Sequence, residues 1–154
     1  MIQRIQTVYL FLCFLLIGGM FFMPIAEYIT SSEQVYEQSL FSISNYSDAD
    51  GQLTIDPLPV GILTGIIGLI FFISIFLYKK RNLQARLIIF NMVLIISLFG
   101  LIYFYSWLIK SELDADVIYG FINISPILAL VLAYISFYRI RIDEALVKSY
   151  DRIR

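Results

Sequence analysis

The residue types that usually carry enzymatic or metal chemistry are scarce in this chain. Its 154 residues contain no histidine and a single cysteine, Cys13. Histidine acid–base catalysis, His/Cys metal sites and an intramolecular disulfide are therefore excluded, as are Ser-His-Asp and Cys-His nucleophile arrangements. The sequence predicts a protein that is not an enzyme and that holds no metal ion and no cofactor.

Three aspartates in one polar segment are the best remaining candidates for a cation site. Asp48, Asp50 and Asp56 lie around a glycine, as the acids of a calcium-binding EF-hand loop do. That loop needs acids at its first, third and fifth positions and glycine at the sixth. Taking Gly51 as the sixth position puts Tyr46 first, so the pattern fails. A solvated acidic turn explains the aspartates better, and a cation site remains the alternative.

Composition places the chain outside the usual range of water-soluble domains. It is 60% apolar and 15% charged, whereas soluble domains are about 45–50% apolar and about 25% charged. The apolar residues fall into four runs, each near the roughly 20 residues that a helix needs to cross a bilayer. These predicted spans are residues 7–28, 58–78, 87–109 and 117–138. Because lipid offers no hydrogen bonds, isolated spans must be helices.

The sequence therefore predicts an all-α protein, a four-helix transmembrane bundle that forms a single membrane domain over residues 1–154. Buried core helices of a soluble protein are the alternative, but these runs lack the polar faces that such helices need. The first apolar run follows the basic residue Arg4, just as the apolar region of a signal sequence follows a basic segment. It is too long and lacks a small-residue cleavage site, so we expect an uncleaved signal anchor.

Charged residues predict the orientation of this bundle. With four spans, ten of the eleven basic residues fall on one side of the membrane and Lys110 alone falls on the other. The positive-inside rule then places both chain ends in the cytoplasm. Residues 29–57 become a periplasmic loop, and residues 139–154 become a cytoplasmic amphipathic tail. The tail either lies along the membrane surface or binds a partner.

The periplasmic loop contains the only candidate strands. Residues 35–46 alternate loosely between apolar and polar types, residues 48–51 form a turn signal, and residues 52–55 are suited to a returning strand. This loop can therefore form a β-hairpin, although a lone hairpin is barely stable in water.

Polar features inside the predicted spans are few. The central parts contain no ionisable residue, which argues against an ion-coupled transporter or a proton pump. Gly61, Gly65 and Gly68 place small residues along one face of the second helix. Such a face permits close helix packing, and we favour packing within the bundle over dimerisation.

Asn91 and Asn123 lie near opposite ends of the third and fourth spans. We therefore expect each to hydrogen-bond the backbone of a neighbouring helix and not each other; a pocket built on them is the alternative. Pro126 frees a backbone carbonyl and predicts a kink in the fourth helix.

Three segments resemble a known family. Residues 1–7, 78–84 and 143–154 are similar to the corresponding segments of a family of small Bacteroidota membrane proteins, catalogued as a domain of unknown function; Ile142 stands where that family usually has a basic residue. The resemblance implies a multi-pass protein of the bacterial inner membrane with four helices, and it brings no known activity.

The same resemblance suggests a polar cluster at the cytoplasmic face, where ion pairs would fix the helix ends and dock a partner. The candidate members are Arg4, Gln6, Arg81, Gln84, Asp143, Glu144, Asp151 and Arg152.

The favoured function is a structural or accessory subunit of a membrane complex. A small-molecule or lipid transporter or channel component, acting as an oligomer through Gly61 and Gly65, is the main alternative. An enzyme acting on lipids is a third, and no spacing of paired residues supports it. The expected partners are membrane lipids and either another inner-membrane protein or further copies of the chain, with no nucleic acid.

Overall fold

Helices form most of the molecule, and short strands lie at one end of them. The computed structural model describes residues 3–30, 34–45 and 56–151. Within that part, the helices are α1 (Gln3–Gly19), α2 (Leu58–Phe76), α3 (Arg81–Leu113) and α4 (Ile124–Asp151). The strands are β1 (Ala26–Thr30), β2 (Val35–Gln38), β3 (Ile43–Asn45) and β4 (Ala115–Tyr119). Leu77–Lys79 and Phe121–Asn123 form short 3-10 turns.

The helices pack side by side around one apolar cluster. Helix α1 contacts α2 and α4, and α3 contacts the same two helices. All four helices contribute fully buried side chains to this cluster, among them Leu10, Ile67, Ile95 and Ala129. The small Ala129 lets α4 approach α1, where the Cys13 thiol lies 3.4 Å from the Ala129 carbonyl oxygen.

The outer surface of the helices is largely apolar, and several of their polar side chains point inward. Thr64, Ser74 and Asn91 are buried. Exposed apolar side chains cover every helix, among them Phe11, Leu15, Ile62, Leu69, Phe90, Val93, Ile96, Phe104, Leu128 and Val131. A soluble protein of this size rarely shows so much contiguous apolar surface. This is the distribution expected of a membrane protein.

Three of the helical segments are long and apolar enough to cross a membrane: Leu58–Phe76, Arg81–Leu113 and Phe121–Ile142. The apolar helix Ile5–Gly19 is shorter. Pro57 and Pro59 flank the start of α2, where proline costs little because the first-turn amides have no intrahelical acceptor.

The first and fourth helices differ from the predicted spans. Helix α1 ends at Gly19, so the end of the run 7–28 is not helical, and Ala26–Thr30 is a strand. Likewise the run 117–138 begins in β4, and α4 starts at Ile124. Pro126 therefore lies in the first turn of α4, where proline is tolerated because the first-turn amides have no intrahelical acceptor.

The predicted all-α fold allowed a hairpin in the outer loop, and it is corrected by a four-stranded antiparallel sheet with strand order β3-β2-β1-β4. Tyr28 in β1 lies opposite Tyr36 in β2 and Val117 in β4. The loop does contain a hairpin, formed by β2 and β3, with a nearer returning strand than expected. The hairpin belongs to the larger sheet, in which β1 comes from the predicted first span and β4 from the predicted fourth. Residues 52–55, the expected returning strand, lie outside the described residues.

Strand alternation gives the sheet two different faces. Ala26 and Tyr28 point toward the helices, where they join a buried cluster with Ile43 and with Ile109 of α3. Glu27 and Ile29 alternate with them and are exposed on the opposite face. One face of the sheet therefore covers the end of α3, and the other is free of the helices.

Two hydrogen bonds join the segment that follows α1 to the segment that precedes α4. The amide of Gly120 donates to the Ile25 carbonyl oxygen at 2.8 Å, and the Asn123 side chain donates to the same oxygen at 2.7 Å. A Cβ at position 120 would lie 2.5 Å from the Pro24 carbonyl oxygen. Only glycine permits this approach, which ties the segment after α1 to the segment before α4.

The buried pair of Tyr28 and Gln38 provides a test of the sheet. The Tyr28 hydroxyl donates to Gln38 Oε1 at 2.5 Å, and both residues are fully buried. Tyr28→Phe leaves the amide of Gln38 without this partner, so we expect a loss of about 1–3 kcal/mol in unfolding free energy.

Tyr36→Phe is the matched control, because its hydroxyl makes a longer, partly exposed contact of 3.2 Å with Gln34. We expect a change of no more than about 0.5 kcal/mol there. Thermal unfolding in a fixed detergent, followed by circular dichroism, measures both variants. Equal losses would contradict the role of the buried pair.

Candidate functional site

A pocket of about 430 Å³ lies where the end of α3 meets β4. Helix α3 contributes four residues spaced as i, i+3, i+4 and i+7, which places them on one face of the helix. Strand β4 closes the opposite side. The lining residues are Tyr103, Ser106, Trp107, Lys110, Asp116, Val117 and Tyr119.

A sharp reversal of the backbone creates this pocket. Asp114 ends α3 with φ 47° and ψ 45°, the left-handed conformation that aspartate tolerates better than most residues. The chain enters β4 at the next residue and pairs with β1. Asp116 is thereby brought back to Lys110, whose ammonium lies 3.8 Å from a carboxylate oxygen of Asp116.

The two charges remain accessible. The Lys110 and Asp116 side chains are 54% and 94% exposed, and an ion pair this open to solvent contributes little to stability. The neighbouring rings of Tyr103, Trp107 and Tyr119 are also exposed. The pocket therefore offers one positive charge, one negative charge and three aromatic faces to a ligand.

Ser106 provides a buried polar group beside these accessible ones. It is 1% exposed, and its hydroxyl has no hydrogen-bond partner of good geometry among the described residues. The Tyr28 hydroxyl is close by but donates to Gln38. Burial raises the pKa of Tyr28, and the Ser106 hydroxyl opposes that shift. Tyr28 is thus neutral at ordinary pH, since a free tyrosine already titrates near pH 10.

The composition of the pocket suits the binding of a charged ligand. Among the described residues, no group of three or more His, Cys, Asp or Glu is arranged to hold a metal ion. From the sequence, Lys110 was interpreted only as a charge outside the basic side of the membrane, and the pocket was missed. The spacing of Tyr103, Ser106 and Trp107 before Lys110 was the available signal, because it places one basic and two aromatic residues on a single helix face.

The predicted cytoplasmic cluster is described only in part. Gln84, buried near the start of α3, donates through Nε2 to the Ser74 carbonyl oxygen at 2.9 Å. Gln6 is buried on α1, and Arg81 is partly exposed at the start of α3. Gln84 thereby joins the beginning of α3 to the end of α2. The remaining side chains of the cluster lie outside the described residues, and their ion pairs stay a prediction: Arg4, Asp143, Glu144, Asp151 and Arg152.

The three glycines of α2 have different surroundings. A Cβ at Gly61 would meet the Phe41 ring and would lie 2.8 Å from the Leu40 carbonyl oxygen, and a Cβ at Gly68 would lie 3.8 Å from Ile17. Gly61 and Gly68 are buried, so both pack within the chain. Nothing lies within 4 Å of a Cβ at Gly65, which faces an apolar groove between α1 and α2.

The two asparagines stabilise different parts of the fold. Asn91 donates to the Ile67 carbonyl oxygen of α2 at 3.1 Å, a bond to a neighbouring helix as expected. Asn123 instead bonds Ile25, in the connector before β1, and Gly120, so the expectation of a neighbouring helix is wrong for Asn123. The cause is its position in the 3-10 turn that precedes α4.

Comparison with protein families decides the affiliation of the chain. The family model described as a domain of unknown function, DUF4293, matches residues 2–153. The chain belongs to this family. The match confirms the resemblance seen in the three sequence segments and extends it over the helices and the sheet. No curated protein matches the chain.

The different surroundings of the glycines lead to a prediction. Gly61→Ala forces a methyl group against the Phe41 ring and the Leu40 carbonyl group, so we expect it to lower the unfolding free energy by about 1–3 kcal/mol. Gly65→Ala has open space and gains up to about 1 kcal/mol of helix propensity.

Thermal unfolding of both variants in the same detergent measures these effects. A loss of stability for Gly65→Ala equal to that for Gly61→Ala would contradict the packing described for α2. A change of oligomeric state caused by Gly65→Ala alone would instead indicate that the open groove is a contact between copies.

Proposed function

We propose that this chain is a multi-pass protein of the bacterial inner membrane that acts, without enzymatic activity, as an accessory subunit of a membrane complex. The observation that carries the membrane part of the proposal is the inverted distribution of side chains. Apolar side chains cover the outside of the helices while Thr64, Ser74, Gln84 and Asn91 are buried. Lipid stabilises this distribution because it solvates apolar side chains and no polar ones.

The position of α1 supports four crossings. Its 17 residues span only about 25 Å, slightly less than the roughly 30 Å hydrocarbon core. It packs along α2 and α4, which are long enough to cross the hydrocarbon core. Phe14 contacts Phe72 of α2 with tilted rings whose centroids are 5.5 Å apart, and Cys13 contacts Ala129 of α4. The uncharged residues that follow, Met20 to Met23, extend the apolar segment.

The separation of charge along the helices supports the orientation. Within the part of the chain that the structure describes, the end that carries the sheet has one basic residue, Lys110. It holds the acidic residues Glu27, Glu37, Asp56, Glu112, Asp114 and Asp116. The opposite end of the helices holds Lys79, Lys80, Arg81, Arg86, Arg139 and Arg141. By the positive-inside rule the sheet lies in the periplasm and both chain ends in the cytoplasm.

The free face of the sheet supports the accessory role. Glu27 and Glu37 lie directly opposite each other on it, and like charges in that position destabilise a sheet. Ile29 and Ile118 are exposed beside them. A partner with basic and apolar side chains would relieve the repulsion and cover the isoleucines. The space between the helices is filled by the apolar cluster. This filling favours a role in binding a partner over transport of a solute through a single chain.

The first test determines the topology. In a Cys13→Ser background, Glu112→Cys marks the sheet end and Lys80→Cys marks the other end; both positions are exposed. A membrane-impermeant maleimide is expected to label Glu112→Cys only in right-side-out vesicles and Lys80→Cys only in inside-out vesicles. A protease-cleavable tag before residue 1 should be cut only in inside-out vesicles. Cleavage of the tag in right-side-out vesicles would show that α1 does not cross.

The second test addresses the accessory role. Ile118→Lys adds a positive charge to the free face of the sheet, and Ser111→Lys adds one to an exposed position at the end of α3. Purified from native membranes, the unchanged chain is expected to carry a stoichiometric partner. Ile118→Lys should lower its recovery about tenfold, a loss of about 1.4 kcal/mol in binding, and Ser111→Lys should retain it. A chain that purifies without a partner, or equal recovery with both variants, would overturn this role.

A further inference from the structure

We propose that the pocket between α3 and β4 binds the headgroup of a zwitterionic phospholipid with a primary amine, its phosphate at Lys110 and its ammonium at Asp116. The inference rests on the membrane position proposed above. The lipid would be held at the periplasmic boundary of the bilayer, with an acyl chain running along α3.

The charges of the pocket match those of such a headgroup. Lys110 and Asp116 approach each other only to 3.8 Å and are largely exposed. Their ion pair is therefore weak, and a ligand with both charges can replace it with one charge-assisted hydrogen bond on each side. The lysine donates to phosphate oxygens, and the ammonium donates to the aspartate carboxylate.

The surroundings disfavour an anionic headgroup. Glu112 and Asp114 precede Asp116 in the same short segment, and both are exposed. A headgroup with a net negative charge would be repelled by three carboxylates and attracted by one lysine. A zwitterionic headgroup gains from Lys110 and Asp116 together.

Aromatic and hydroxyl groups complete the pocket. Exposed Tyr103, Trp107 and Tyr119 present ring faces, which attract an ammonium group and are favoured at the boundary between hydrocarbon and water. The Ser106 hydroxyl lies buried in the same lining, close to the Tyr28 hydroxyl but without a hydrogen bond of good geometry among the described residues. Because a buried hydroxyl without a hydrogen bond is unfavourable, a phosphate oxygen is a suitable acceptor for it.

The surface of α3 next to the pocket suits an acyl chain. Ile96, Gly100, Tyr103 and Trp107 are all exposed and follow one another at spacings of four, three and four residues, so they form a single stripe on the helix. Nothing lies within 4 Å of a Cβ at Gly100. The missing side chain at Gly100 therefore leaves space on this stripe for an acyl chain that runs from the middle of the helix to the pocket.

The chain contains its own probe for this lipid, since Trp107 is its only tryptophan. The full chain is reconstituted in phosphatidylcholine vesicles with increasing fractions of brominated phosphatidylethanolamine, phosphatidylglycerol or phosphatidylcholine, and the quenching of Trp107 fluorescence is measured. We expect half-maximal quenching by phosphatidylethanolamine at about fivefold lower mole fraction than by the other two, as one additional charge contact of about 1 kcal/mol provides.

Variants of the two charged residues make the test specific. Asp116→Asn is expected to remove the preference without changing the quenching by phosphatidylcholine, because only the ammonium contact distinguishes phosphatidylethanolamine. Lys110→Ala is expected to raise the half-maximal mole fraction for all three lipids, because each of them has a phosphate. Lys80→Ala, which removes an exposed lysine at the opposite end of the helices, should keep the preference. A preference that survives Asp116→Asn, or a Lys110→Ala variant that is quenched by all three lipids as the unchanged chain is, would overturn the proposed site.

The remaining outcomes separate this proposal from the membrane proposal. Equal quenching by the three brominated lipids would show a chain inserted in the bilayer without a headgroup site, and would overturn only this inference. No quenching by any lipid would overturn both. Soluble phosphoethanolamine at millimolar concentration should leave the preference intact; its full displacement of the lipid would identify a soluble amino-phosphate as the ligand and would overturn the lipid assignment.

Discussion

The absence of hydrogen-bonding groups in hydrocarbon is the constraint on which this structure depends. Three polar side chains within the helices satisfy it internally. Thr64 donates to the Val60 carbonyl oxygen, Ser74 to that of Ile70, and Asn91 to that of Ile67 on the adjacent helix. Apolar side chains then lose nothing by facing outward. Helix association depends on close contact instead, because lipid is as apolar as the side chains it would replace. The buried Gly68 and Ala129 supply that contact.

The sheet connects the ends of the helices to one another, in addition to the side-chain packing between the helices. Strand β1 follows α1, and β4 connects α3 to α4, so their pairing joins three helices at one end. The bonds of Gly120 and Asn123 to Ile25 add a second connection at the same level. The buried Tyr28 side chain then packs the sheet against Ile109 of α3. The sheet surface proposed for partner binding is thereby fixed relative to the helices.

The pocket is a consequence of the same arrangement. Strand β4 must pair with β1, so the chain reverses at Asp114 immediately after α3. That reversal places Asp116 beside Lys110 and the aromatic residues at the end of the helix. A mixed-charge, aromatic pocket at the boundary of the apolar surface therefore arises from the connection between α3 and the sheet. The proposed lipid site and the proposed partner surface both include β4, and both depend on its pairing.

Sequence alone determined the features that depend on local hydrophobicity and charge: the positions of α2 and α3, the proline start of α2, the separation of basic and acidic residues, and the family. It could not place β1 or β4, because an apolar strand within a longer apolar run has the same hydropathy as the end of a helix. Their pairing joins residues about ninety positions apart, as in Ala26 opposite Tyr119. Only the tertiary structure decided this pairing, and with it the pocket, since Lys110 and Asp116 meet through a backbone reversal that no local pattern encodes.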